Sequence, residues 1–73
     1  MKLPLLSARE VIRILRKMGF EEIRQKGSHK YFRHPDGRTT VVPVHPGRDI
    51  GKGLLKRIMN ETEVSREQFF EYL

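Results

Sequence analysis

Three histidines, set among cations and aromatics, are the side chains best suited to proton chemistry near neutral pH in this 73-residue sequence. His29 closes the tripeptide Gly27-Ser28-His29. In an extended segment His29, Tyr31 and Arg33 share one face, while Lys30, Phe32 and His34 share the other. Phe32 is then the core candidate. His29 is left beside an aromatic that can stack on a base and a guanidinium that can grip phosphate, a pairing used on single-stranded RNA. RNA carries its own nucleophile, the 2′-hydroxyl. A small protein can cleave it by removing that proton, stabilising the charged phosphorane and protonating the leaving 5′ oxygen. Read from the residues alone, His29 is either such a proton-transfer group or a strand histidine that hydrogen-bonds its turn.

His45, in Pro43-Val44-His45, is the second acid or base candidate, because this cleavage works best with two groups; its other reading is a loop histidine that orients the next helix. His34, beside Pro35, reads as hairpin surface. Gly27 and Ser28 suit either a close backbone approach to phosphate or a plain tight turn. Ser28 has no serine-hydrolase partners and no nucleophile elbow around it. The three histidines lack compact spacing and the chain has no cysteine, so no metal or other cofactor is expected, and disulfides and a thiol nucleophile are excluded.

Fifteen Lys and Arg against nine Asp and Glu give a formal charge of +6. Such a surplus attracts nucleic acid, an anionic membrane surface or an acidic protein, and does not choose among them. Its placement is more informative. Lys26, Lys30, Arg33 and Arg38 flank His29 in sequence, and Arg9, Arg13 and Arg16 recur at helical spacing. The arginine stripe fits backbone phosphates, a solvated helix face or the docking surface of an acidic partner.

The elements that must position these residues follow from patterning. Ser7 to Met18 is the clearest helix: Ser7 and Glu10 form a capping box, Leu6 and Val11 occupy the staple positions, and Gly19 ends it. Counting about 100° per residue, Ala8, Val11, Ile12, Leu15 and Met18 fall on one side, opposite the arginines. Phe20 to Lys26 reads as a polar strand, Gly27-Ser28 as a turn and His29 to Arg33 as a second strand. His34-Pro35-Asp36-Gly37 is a hairpin signal leading into a third strand, Arg38 to Val44, in which Pro43 demands an edge or an end. After a loop at His45-Pro46-Gly47, Gly51 to Asn60 places Leu54, Leu55, Ile58 and Met59 on one helical side. Val64 to Phe69 repeats the cap pattern with Ser65 and Gln68, so a short helix closes the chain. The expectation is one α+β domain over 1–73: an αβββα unit with a three-stranded antiparallel sheet, helices on one face and a short C-terminal helix. Pro4 interrupts the apolar start Met1-Lys2-Leu3-Pro4-Leu5-Leu6, so no signal peptide or membrane span is expected, and a cytoplasmic location is.

The order of a basic-faced helix, "MGF", "RQKGSHKYFRHPDG", "VVPVH" and "IGKGLLKRIM" resembles the HicA (YcfA-like) mRNA interferase toxins of type II toxin–antitoxin systems over nearly the whole chain. The combination of GSH-x-x-F, a strand ending Pro-x-His and a Gly-Leu-Leu helix is specific, although each piece alone is weak. The helix start departs from the family pattern, with Lys52-Gly53-Leu54 where many members carry a Pro-Gly-Thr-Leu-like sequence, which touches packing or capping more than chemistry. The resemblance implies a fold like a double-stranded RNA-binding domain, ribosome-independent cleavage of mRNA, and silencing by a HicB-like antitoxin. It maps the family's catalytic histidine onto His29. Arg9, Arg13, Arg16, Lys26, Gly27, Ser28, Lys30, Tyr31 and Arg33 are then the residues expected to meet RNA. Two other functions fit the residues: a noncatalytic double-stranded RNA-binding module and a purely protein-binding subunit.

Overall fold

Ser7 starts the first helix as its pattern requires. In the computed structural model, which describes residues 5–73, the Ser7 hydroxyl accepts from the Glu10 amide at 3.2 Å, and Glu10 Oε1 accepts from the Ser7 amide at 3.0 Å. Two otherwise orphaned donors of the first turn are thereby satisfied, and α1 runs Ala8–Met18. Gly19 stops it at φ +105°, a backbone region where a side chain would be strained, and its amide donates to Arg16. A Cβ there would also stand 3.0 Å from His34 Nε2, so the same glycine lets the later hairpin approach the helix end. The reading of Met1 to Pro4 as a start without a signal peptide lies outside the described residues.

Three antiparallel strands follow: β2 (Glu21–Lys26), β3 (His29–Arg33) and β4 (Thr39–Pro43), in the order β2-β3-β4. Gly27 and Ser28 make the first turn and pin the register Lys26↔His29, Gln25↔Lys30 and Arg24↔Tyr31; a bulge at Ile23 then shifts it to Glu22↔Phe32. β4 pairs with β3 alone and ends at Pro43, as a proline without a ladder donor requires. Its outer side is latched to the following helix: Arg57 Nη2 donates to the Val41 carbonyl at 3.1 Å, and the buried Thr40 hydroxyl donates to Glu61 at 2.8 Å.

α2 spans Lys52–Thr62 and α3 spans Arg66–Glu71, the latter started by the expected Ser65–Gln68 capping box. The expected αβββα order with a C-terminal helix is the one observed. Phe32 and Val42 point from the sheet into a core with Val11, Ile14 and Leu15 of α1, Leu55, Ile58 and Met59 of α2, and Phe69 of α3. The other sheet face carries His29, Tyr31 and Arg33.

Two features depart from the sequence reading. Leu6–Ser7 (β1) pairs antiparallel with Asp49–Ile50 (β5), where no strand is expected. Two residues are too few to show periodicity, and what holds them is the burial of Leu6 and Ile50 opposite one another. The buried side of α1 is also rotated from the expected one. Ile14 is fully buried while Ile12 is only partly so, because the helix settles toward the sheet and leaves Ile12 at the margin of the arginines.

Candidate active site

β3 sets out the candidate site in rows, since residues opposite one another across an antiparallel ladder lie side by side on one face. His29 opens the strand between Lys26 of β2 and Pro43 of β4. Tyr31 follows between Arg24 and Val41, and Arg33 between Glu21 and Thr39. His29, Lys26, Arg24 and Arg33 are exposed. The His29 imidazole makes no hydrogen bond or ion pair with another described residue. The Arg24 guanidinium lies over the Tyr31 ring, 4.5 Å from its centroid, so one face of the ring already carries a cation. Arg24 escaped the sequence reading, although a two-residue turn at Gly27-Ser28 places position 24 across from position 31.

Lys30 points to the other sheet face. Its Nζ is 3.5 Å from Glu22 Oε1, which also lies 3.7 Å from Arg16 Nη2. One carboxylate thus ties the α1 stripe to the sheet and occupies two of the cations expected to meet RNA. Gly27 and Ser28 serve the turn: the Gly27 carbonyl accepts from Gln25 Nε2 at 3.0 Å, and the Ser28 carbonyl accepts from the Val44 amide at 2.7 Å.

His34 is not the surface residue that its place beside Pro35 suggests. Its Nε2 donates to the Met18 carbonyl at 3.1 Å, its Nδ1 accepts from the Asp36 amide at 3.2 Å, and its ring meets Phe20 edge-on at 5.1 Å. A carbonyl only accepts, so the neutral ring carries its hydrogen on Nε2. Arg38 is likewise drawn into the structure. It donates to both Asp36 oxygens and to the Thr62 carbonyl at the end of α2, and lies 5.3 Å from the Phe20 centroid. The bonds from the Arg38 side chain and amide hold the Asp36 carboxyl below its ordinary range. The signal that His34 and Arg38 belong to the framework is tertiary: both meet Phe20, which follows the helix stop.

Arg9 and Arg13 of the α1 stripe have no hydrogen-bond or ion-pair partner among the described residues. With Ile12, Arg16 and Lys17 they line an open recess of about 550 Å³. His45 lies in the loop after β4, two residues beyond Pro43, the register partner of His29, and lines a second recess with Arg9 and Arg48. Among the described residues no group of three or more His, Asp or Glu side chains is arranged to hold a metal ion, and no helix is long and apolar enough to cross a membrane.

Fold and surface define a class: a small αβββα domain of the double-stranded RNA-binding type, with cations along the first helix and over the open sheet face. Within that class the chain belongs to the HicA toxin family, whose model, described as the HicA toxin of bacterial toxin–antitoxin systems, matches residues 8–64. The chain is accordingly the toxin half of a toxin–antitoxin pair and has an antitoxin as its partner. The match runs from α1 to Val64, and α3 follows it. No curated protein matches the chain.

Proposed function

We propose that this toxin is an endoribonuclease that cuts mRNA in the cytoplasm without a metal ion or the ribosome, and that His29 transfers the proton on which cleavage turns. The observation that carries this reading is the setting of His29. It is exposed, holds no bond to another described residue, and stands on an open sheet face beside Lys26 and one row from the Arg24–Tyr31 pair. A histidine recruited for structure has the surroundings of His34 instead.

In the reaction the 2′-hydroxyl loses its proton and its oxygen attacks the adjacent phosphorus. The bond to the 5′ oxygen breaks and that oxygen takes up a proton, leaving a 2′,3′-cyclic phosphate and a 5′-hydroxyl. His29 serves one of these two transfers. His45 is the candidate for the other, since His34 is held by its own bonds. Lys26 and Arg33 lower the cost of the charged phosphorane, while Arg24, stacked on Tyr31, adds a charge that draws the strand to this face, and Tyr31 offers its uncovered ring face to a base. Arg13 and Arg16 hold the strand farther out, and Arg9 stands between them and the loop that carries His45. A HicB-like antitoxin silences the enzyme by covering one of these surfaces.

The test is incubation of the antitoxin-free protein and its His29→Ala variant with labelled single-stranded RNA in EDTA, scoring cleavage and end chemistry. Cleavage to cyclic phosphate ends that disappears in a folded His29→Ala variant is expected. Equal cleavage by both proteins removes His29 from the chemistry. Tight binding without cleavage by the unaltered protein makes the domain a noncatalytic RNA binder.

A further inference from the structure

The second recess lies where the start of α1 meets the loop after β4. It measures about 350 Å³, and its walls include Ser7, Arg9, His45, Gly47 and Arg48. No carboxylate is among its lining residues: the nearby Glu10 carboxylate is taken up by the Ser7 amide and hydroxyl, and Asp49, the register partner of Ser7, makes no ion pair with Arg9 or Arg48. Neither Arg9 nor Arg48 has a side-chain partner among the described residues. Two guanidiniums at one small hollow, with no counter-charge in its walls, are an incomplete arrangement. Phosphate, with several acceptor oxygens for their forked donors, completes it.

Three further observations choose a phosphate in a strand of RNA over an isolated anion. Arg9 lines both this recess and the one on α1 that holds Arg13, Arg16 and Lys17, so the cationic surface is continuous. Arg9, Arg13 and Lys17 repeat every four residues, about 6 Å of helix rise, a spacing comparable to that of neighbouring phosphates along a strand. At the other end, the loop that carries His45 and Arg48 starts beside the catalytic candidate: Pro43 is the register partner of His29, and the Val44 amide donates to the Ser28 carbonyl.

We propose that the Arg9–Arg48 recess is a phosphate subsite that grips the RNA backbone next to the bond being cut. The inference rests on the nuclease reading and adds the direction of the strand, from the open sheet face at His29, past the Val44–Ser28 link, through the Arg9–Arg48 recess and onto α1. Holding a flanking phosphate there fixes the register of the scissile one between the sheet end and His45.

The test measures binding of a fluorescent 2′-O-methyl RNA, which lacks the nucleophile and cannot be cut, by anisotropy over a range of salt. Arg9→Ala, Arg48→Ala and Lys56→Ala each remove one exposed charge, and Lys56, on α2, lines neither recess. Arg9→Ala and Arg48→Ala are each expected to weaken binding about tenfold, the loss of one charge-assisted contact. Each is also expected to reduce the steepness of log affinity against log salt by about 0.7, the loss of one phosphate on a single strand. Lys56→Ala stays within about twofold of the unaltered protein, as general electrostatics alone would have it. If the two arginine variants behave like Lys56→Ala, the subsite is wrong. It is equally wrong if they keep RNA affinity but lose binding to polyglutamate, which would assign the recess to an acidic protein. Because the probe is uncleavable, a protein that shows the arginine effect but never cuts ordinary RNA overturns the nuclease reading and leaves the phosphate subsite standing. Circular dichroism melts confirm that each variant is folded, and Arg48→Gln replaces Arg48→Ala if that one is not.

Discussion

His29 opens β3 and His34 follows its last residue, and the molecule treats them in opposite ways. His34 is bonded through both ring nitrogens, packed against Phe20 and pressed to the end of α1. His29 is exposed and free of such bonds, among cations that are exposed as well. Arginines divide the same way: Arg38 spends its guanidinium on Asp36 and the end of α2, whereas Arg33 stays on the open face. Residue type therefore says little about role. An imidazole whose nitrogens are both committed holds a fold together, and one with both nitrogens open can move a proton.

The sharpest way to break the comparison is to remove each histidine in turn. His29→Ala should lower RNA cleavage by about 10²- to 10⁴-fold, the usual contribution of a general acid or base. Urea unfolding should change by no more than about 0.5 kcal/mol, as for a surface substitution. A variant that loses stability but keeps its rate would reverse the assignment. His34→Ala should do the opposite. It leaves the Met18 carbonyl without its donor and removes the ring from Phe20, so urea unfolding should show a loss of about 2 kcal/mol. Cleavage per folded molecule should stay within a few-fold.

Arg24→Ala tests whether the open face works as a set. The substitution removes one exposed cation from the open face, so single-stranded RNA affinity should fall a few-fold and its salt dependence should become shallower, with His29 chemistry intact once RNA is saturating. Loss of cleavage at saturation would place Arg24 on the reacting phosphate instead. The smallest effect lies at the hairpin end. The folded-state pKa of Asp36 is depressed by Arg38, so its contribution to stability is present above the unfolded value, about 3.9, and is lost as pH falls through the lower folded value. Thermal melts of the unaltered protein and Asp36→Asn should differ by a constant amount above about pH 5 and converge in acid. Parallel curves down to the lowest pH would show that Arg38 does not depend on that carboxylate.

Periodicity and caps make most of the framework legible in the chain itself: the capping boxes at Ser7 and Ser65, the stop at Gly19, the turn at Gly27-Ser28 and the edge required by Pro43 are all local chemistry. His29, with its alternation against Phe32, was legible for the same reason, because a strand assigns faces by counting in twos. The tertiary structure alone decided which polar groups were left over. That Glu22 gathers Arg16 and Lys30, that His34 turns back to Met18, that Ile14 rather than Ile12 is buried, and that Leu6 meets Ile50 all depend on residues far apart in sequence. The physical reason is range. Capping and alternation act within a turn or along one strand, whereas ion pairs, buried hydrogen bonds and core contacts form only after separate elements pack. Local chemistry is enough for the fold class and for His29 on an open face, and packing decided which of its neighbours remain free to act beside it.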